Sequence, residues 1–130
     1  MNHDSRSVLV VEDDESIRET VRELLEFEGY RVHTASNGRE ALSVLSRIES
    51  PCVIFLDLMM PVMDGWQFLD ARRKDERLSS LPVIVVTAAG NLAQAPGANE
   101  IVSKPPDVDA LLAMLDRHCR RFEHEHQRVA

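Results

Sequence analysis

Residues 51–69 read PCVIFLDLMMPVMDGWQFL, and this stretch decides the fold class. It contains the run Val53–Leu56, which is short, uninterrupted and apolar, as is typical of strands buried on both faces of a parallel sheet. A helix is predicted to begin near Asp64-Gly65, with Phe68 and Leu69 on its apolar face. The stretch therefore predicts one buried strand followed by one helix.

The same alternation extends to both ends of the chain. Two further buried strands and two more exposed ones are predicted at Val8–Val11, Val83–Val86, Arg31–Ala35 and Glu100–Ser103. Apolar residues at helical spacing predict helices around Ile17–Leu25, around Ala41–Ile48 and, from an N-cap at Asp107, along Val108–Phe122. A capping-box pair, Ser16 and Glu19, is expected to begin the first helix, and Gly29 to end it.

Strict alternation of strands and helices predicts right-handed crossovers and a parallel sheet, and five units are too few for the eight-stranded barrel. We therefore expect an α/β fold of the (βα)5 type, a doubly wound three-layer sandwich. Pro96-Gly97 interrupts the segment between the fourth and fifth strands, so the fourth helix should be truncated or absent. The ligand site of such a fold lies beyond the carboxyl ends of the strands.

The bulk composition is typical of one globular domain, with 130 residues that are 44% hydrophobic and 28% charged. We predict a disordered N-terminus over residues 1–5, the domain itself over 6–122 and a polar tail over 123–130. The net charge of −7 argues against direct binding of nucleic acid. No leader or membrane span is recognised, so a cytoplasmic protein without membrane contact is expected. Cys52 and Cys119 are interpreted as packing thiols of a reducing compartment.

Polar residues follow four of the predicted strands and should meet at one edge of the sheet. They are Glu12-Asp13-Asp14, Asp57, Thr87 and, after the apolar pair Ile101-Val102 of the last strand, Ser103-Lys104-Pro105. Clustered carboxylates repel one another unless a cation lies among them, and an all-oxygen site suits Mg²⁺. Taken singly, each residue is more often a cap, a turn acid or a solvated charge. Their joint placement favours phosphoryl transfer, with Asp57 as nucleophile and with Thr87 and Lys104 contacting the phosphoryl oxygens.

Four motifs together resemble the CheY-like response-regulator receiver domain of two-component systems. They read VVEDD at Val10–Asp14, LDLMMPVMDG at Leu56–Gly65, VTA at Val86–Ala88 and KP at Lys104-Pro105. The resemblance covers roughly residues 6–119, and the second motif is highly specific. It implies a flavodoxin-like sheet with strand order 2-1-3-4-5.

The resemblance also implies a role for each site residue. Asp57 matches the phosphorylated aspartate, Thr87 the switch hydroxyl and Lys104 the phosphate-pairing cation, with a cis peptide before Pro105. The implied Mg²⁺ ligands are Asp13, Asp57, the Met59 backbone carbonyl and, through water, Glu12. Asp14 is expected to be an ordinary loop acid. The phosphoryl donor would be a histidine kinase or a histidine phosphotransfer protein, and the signal would pass to an unknown protein partner.

Two departures from the family pattern keep other functions open. Ile101 replaces the usual aromatic three residues before the lysine, and only 17 positions separate Thr87 from Lys104. A phosphorylation-independent pseudo-receiver is one alternative. An Asp-nucleophile phosphohydrolase is less favoured, because Met59 stands where that class needs a second acid. We therefore expect a signalling domain that catalyses only its own phosphorylation and dephosphorylation, either alone or as part of a longer chain.

Overall fold

The computed structural model describes residues 6–88 and 94–127, with side chains described as far as residue 121. Its strands and helices alternate as predicted up to the fourth strand. The elements are β1 (Ser7–Val11), α1 (Glu15–Phe27), β2 (Arg31–Ala35), α2 (Gly38–Leu45), β3 (Val53–Leu56), α3 (Gly65–Arg73), β4 (Val83–Thr87), β5 (Glu100–Ser103) and α4 (Val108–Gln127).

The connection from β4 to β5 departs from the alternation, as the sequence predicts. Its described residues, 88 and 94–99, form turns and irregular backbone and no helix. Part of the predicted truncation falls on residues 89–93, which lie outside the described part of the chain. Among the residues that the structure describes, the C-terminal helix is therefore the fourth helix.

All five strands are parallel and lie in the order β2-β1-β3-β4-β5, which confirms the predicted doubly wound sheet. The register brings the carboxyl ends of the central strands level: Val11 is paired with Ala35 on one side and with Leu56 on the other. Residues that follow β1 and β3 are therefore neighbours at the same edge.

The core consists of two layers, one on each face of the sheet. The α2 and α3 side chains, including Leu45 and Phe68, pack with one set of strand residues. The α1 and α4 side chains, including Leu25 and Leu115, pack with the other set. All four of these side chains have no exposed surface, and burial of each contributes about 1.5–3 kcal/mol to folding.

The predicted start of α1 is wrong by two residues. Asp14, not Ser16, is the N-cap: its backbone is extended and its side chain accepts a hydrogen bond from Ile17 N at 2.9 Å. Glu19 contacts Arg22 instead of completing a capping box. Asp14 lies directly before the first helical residue, so its carboxylate reaches the free N–H groups of the first turn, and it is more than a loop acid.

The other helix starts agree with the sequence. Asp64 and Gln67 form a capping box before α3, and Asp107 accepts a hydrogen bond from Ala110 N at 3.2 Å at the start of α4. α4 continues to Gln127, into the segment predicted as a polar tail. The proposed domain limits at residues 5 and 122 remain predictions. Within the described ranges, no helix is both long and apolar enough to cross a membrane.

Cys52 and Cys119 are joined by a disulfide, and their Cα atoms lie 4.9 Å apart. Both residues are buried, as predicted, but the interpretation as separate thiols is wrong. They are 67 residues apart, so no local spacing signals the pairing. Only the packing of α4 over the start of β3 brings them together.

Candidate phosphoacceptor site

The acidic residues after β1 and β3 are brought together by backbone pairing at the strand ends. Asp57 N donates to Val11 O at 3.0 Å, and Glu12 N donates to Ala35 O at 3.0 Å. Carboxylate oxygens of Glu12, Asp13 and Asp57 all lie within 4.8 Å of one another. The structure thus gathers three of the residues that the sequence analysis selected into one cluster.

The three carboxylates differ in exposure. Glu12 and Asp57 are buried, with 5% and 7% of their surface exposed, whereas Asp13 is largely exposed. Partial burial of the Asp13 carboxyl, followed by its hydrogen bond to Glu12 and the Glu12 charge, raises the pKa of Asp13 above its ordinary value. The charged form of Asp13 is therefore disfavoured, as expected where anions crowd together.

Lys104 bridges two of these carboxylates. Its Nζ lies 2.8 Å from Glu12 Oε1 and 3.4 Å from Asp57 Oδ2. Burial by itself lowers the pKa of this ammonium, but the hydrogen bond to Glu12 and the negative charges of Asp57 and Glu12 outweigh burial, and the pKa lies above its ordinary value. Lys104 is therefore held as a cation against the cluster. The following Lys104–Pro105 peptide is cis, as the family resemblance implies.

Thr87 is the last residue of β4, and β4 is paired with β5, which ends directly before Lys104. It is fully buried and paired with Ser103, and its backbone carbonyl accepts a hydrogen bond from Lys104 N at 3.0 Å. Ile101, the residue in the position of the family's aromatic, is 43% exposed on β5. The hydroxyl-bearing and amine-bearing residues are thus neighbours at the strand ends.

The loop after Asp57 is held close to the backbone of Asp57 and Leu58. Met59 N approaches Asp57 Oδ1 at 3.4 Å, and Gly65 N donates to Leu58 O at 2.9 Å. A Cβ at Gly65 would come within 2.5 Å of Asp57 O, so only glycine fits at the start of α3. Val62 has a φ of 70°, a left-handed conformation in the same turn. The Met59 carbonyl remains a predicted ligand.

One positioning residue was missed by the sequence analysis. Arg18 Nη1 donates to the backbone carbonyl of Glu12 at 2.8 Å and approaches that of Asp13 at 3.4 Å. Glu12 Oε2 also accepts a hydrogen bond from Asp14 N at 3.1 Å. A sequence signal for this contact exists. The acidic pair Glu12-Asp13 is followed by a helix, and Arg18 is a basic residue in the first turn of that helix.

The donor atoms in the cluster are carboxylate oxygens, which suit a hard divalent cation better than a soft one. The cluster combines these anions with one fixed ammonium, so it offers places for a cation and for the oxygens of an anionic group side by side. A carboxylate in such surroundings can attack an electrophilic phosphorus, because the neighbouring positive charge offsets the repulsion between two anions.

Comparisons with known proteins agree with this geometry. Residues 8–116 match the family model of the response regulator receiver domain. The response regulator Rre1 of Synechocystis is 38% identical over an alignment of 115 residues, and the alignment covers 84% of this chain and 49% of that protein. The chain therefore spans about half the length of this relative.

Solved structures give the same assignment. The chemotaxis protein CheY4 of Vibrio cholerae superposes with a TM-score of 0.74 and 34% identity, over 85% of this chain and 96% of that one. A second match is the receiver domain of a sensor histidine kinase of Pseudomonas aeruginosa, which has a magnesium ion in its active site cleft. It superposes with a TM-score of 0.78 and 27% identity, over 88% of this chain and 97% of that one. With the fold, the acidic cluster and these matches in agreement, the chain belongs to the response regulator receiver domain family.

Proposed function

We propose that Asp57 accepts a phosphoryl group in a Mg²⁺-dependent reaction, and that Thr87 and Lys104 contact the transferred group. The observation that carries this proposal is the convergence of the Glu12, Asp13 and Asp57 carboxylates within 4.8 Å, with the Lys104 ammonium against two of them. Carboxylates at this spacing fit Mg²⁺, and the proposed ligands are Glu12, Asp13, Asp57 and the Met59 carbonyl.

In the proposed reaction, a carboxylate oxygen of Asp57 forms a bond to phosphorus while the bond from phosphorus to the donor breaks. Bound Mg²⁺ supplies positive charge that lets the aspartate and the phosphoryl group approach each other. Lys104 stabilises negative charge on the phosphoryl oxygens, and the buried Thr87 hydroxyl donates a hydrogen bond to one of them. Arg18 holds the Glu12–Asp13 backbone in position through its two carbonyl contacts.

The proposed donor is a phosphohistidine on a histidine kinase or on a histidine phosphotransfer protein, in the cytoplasm. The proposed output is altered binding of a protein partner when Asp57 is modified, without direct contact with nucleic acid or membrane. The net charge of −7 supports the absence of a nucleic-acid interface. No reaction other than gain and loss of its own phosphoryl group is proposed for the domain.

The test is incubation of the protein with acetyl phosphate and Mg²⁺, followed by intact mass measurement. We expect one added phosphoryl group in the parent and none in Asp57→Asn. A matched control is Asp64→Asn, because asparagine also caps helices and Asp64 lies outside the carboxylate cluster. Labelling of Asp57→Asn at the parent's level, or full labelling in the presence of a chelator, would refute the proposal.

A further inference from the structure

We propose that Cys52 and Cys119 form a reversible redox site that fastens the C-terminal helix α4 to the start of β3. The inference rests on the cytoplasmic location included in the proposed function, because thiols are kept reduced there and a disulfide is usually transient or redox-sensing. The pair plays no part in the phosphoacceptor site. It lies at the opposite end of β3, about 16 Å from Asp57 along an extended strand.

The backbone is already placed for the bond. The Cα atoms of Cys52 and Cys119 are 4.9 Å apart, within the ~4.4–6.8 Å range that disulfides occupy. Cys52 is anchored to the sheet, because its N–H donates to Ser7 O at 2.8 Å. Cys119 follows Leu111 and Leu115 on the buried stripe of α4, at successive intervals of four residues. The folded positions of β3 and α4 therefore accommodate the bond.

Cys119 is also the last buried residue of α4 whose side chain is described, since Arg120 and Arg121 are exposed. Before it, the helix is held by apolar packing at Leu111 and Leu115, and by polar contacts of Arg117 and His118 with Glu100, at 3.0 and 3.2 Å. In the oxidised form a covalent bond is added at the far end of this contact surface. In the reduced form α4 relies on the non-covalent contacts alone.

The proposed oxidant is a low-molecular-weight disulfide such as oxidised glutathione. One cysteine thiolate attacks it, which forms a mixed disulfide and releases one small thiol. The second cysteine thiolate attacks the protein sulfur of that intermediate, which forms the internal bond and releases the second small thiol. The two protein thiols lose two electrons and two protons, and the small disulfide gains them. Reduction by excess small thiol follows the reverse path.

Burial makes this exchange depend on movement of α4. Cys52 has no exposed surface and Cys119 only 2%, so a small reagent reaches the sulfurs only when the helix lifts from the sheet. Leu115→Ala weakens the packing of α4 and is expected to speed the exchange. Leu69→Ala, a matched buried leucine on the opposite face of the sheet, is expected to leave the exchange rate close to that of the parent.

The experiment equilibrates the 130-residue chain in buffers with graded ratios of reduced to oxidised glutathione. Samples are quenched in acid, denatured and alkylated, and their intact mass is measured. We expect a reversible transition between molecules with two alkylated cysteines and molecules with none. The thermal midpoint should fall by roughly 10 °C on reduction, because the bond closes a long loop. Hydrogen exchange should rise mainly in residues 108–121.

The double variant Cys52→Ala/Cys119→Ala is the control and should show no dependence on the glutathione ratio. Two free thiols at every ratio, or a bond that persists at every ratio, would overturn the proposal of a reversible site. Equal acceleration of the exchange by Leu115→Ala and Leu69→Ala would overturn the role of α4, because it would indicate exchange through global unfolding. None of these measurements depends on phosphorylation, so failure of the redox site and failure of the Asp57 assignment are distinguishable.

Discussion

Lys104 compensates the charge of the acidic cluster, and its replacement by methionine tests this arrangement. Methionine keeps an unbranched apolar stem of similar length but removes the ammonium that contacts Glu12 and Asp57. The two carboxylates then remain buried, with 7% and 8% of their side-chain surface exposed, and no longer face a cation. We expect Lys104→Met to destabilise the fold in chelator and to increase the stabilisation that Mg²⁺ gives.

The magnitude follows from the two distances. At an effective dielectric constant of about 20, unit charges separated by 2.8 and 3.4 Å attract by roughly 6 and 5 kcal/mol. Desolvation of the three ions offsets much of this attraction, and removal of one partner from a buried pair typically costs about 3–5 kcal/mol. The Lys104 side chain is 23% exposed, which favours the lower end of that range. A loss of about 3 kcal/mol corresponds to a fall in thermal midpoint of roughly 10 °C for a chain of this length.

Thermal and urea denaturation, followed by circular dichroism with chelator or with Mg²⁺, measure both effects. The matched control is Lys74→Met, which removes an ion pair with Asp70 in which the lysine side chain is 76% exposed. That change should leave the thermal midpoint close to that of the parent and the response to Mg²⁺ unchanged, because exposed ion pairs contribute little to stability. If Lys104→Met is as stable as the parent in chelator, or gains no more than the parent from Mg²⁺, the charge-compensation argument is wrong.

Three further changes have defined outcomes. Asp13→Asn should raise the thermal midpoint in chelator, because burial and the interactions with Glu12 raise the pKa of Asp13 and disfavour its charged form. It should also abolish the gain in thermal midpoint from Mg²⁺, because it removes a proposed ligand. A lower midpoint in chelator would contradict this reasoning. Arg72→Met should lower the free energy of unfolding in urea by about 3 kcal/mol, because the buried guanidinium donates twice to Leu81 O, at 3.1 and 2.6 Å; a loss below about 1 kcal/mol would mean that water replaces the arginine. Met59→Asn should speed loss of the phosphoryl group several-fold, because an amide can hold a hydrolytic water by a hydrogen bond and a thioether cannot. A time course of intact mass measures this rate, and Met59→Leu should match the parent. An unchanged rate in the asparagine variant would contradict the prediction.

The sheet and the cluster could be predicted because they depend on local signals. Val53–Leu56 is apolar throughout, which only a strand covered on both faces tolerates, and the residue after such a strand must lie at the carboxyl edge. Asp57 was placed by this rule, whereas Lys104 was placed by its position after the shorter and more exposed strand Glu100–Ser103. The family resemblance then added the proposed metal ligands. It also implied the cis peptide before Pro105, and the structure contains that peptide.

The features that escaped prediction depend on geometry that sequence spacing does not encode. Asp14 and Ser16 are both good capping residues, and which of them caps α1 is decided by the extended backbone of Asp14. The Cys52–Cys119 bond requires the angle at which α4 crosses the sheet. Arg72 carries no sequence signal at all, since a buried arginine is recognised only by the carbonyls that surround it.

In the connection from β4 to β5, side-chain hydrogen bonds hold the described residues, which form no helix. Asn99 closes the amino end of β4, because its side-chain oxygen accepts from Val83 N at 2.9 Å and its N–H donates to Val83 O at 2.8 Å. From α3, Trp66 Nε1 donates to Gln94 O at 2.6 Å and Arg72 Nη1 to Gly97 O at 3.3 Å. These side chains satisfy carbonyls that a helix would have paired internally. The described part of this connection is therefore fastened to α3 at Gln94 and at Gly97, ahead of β5.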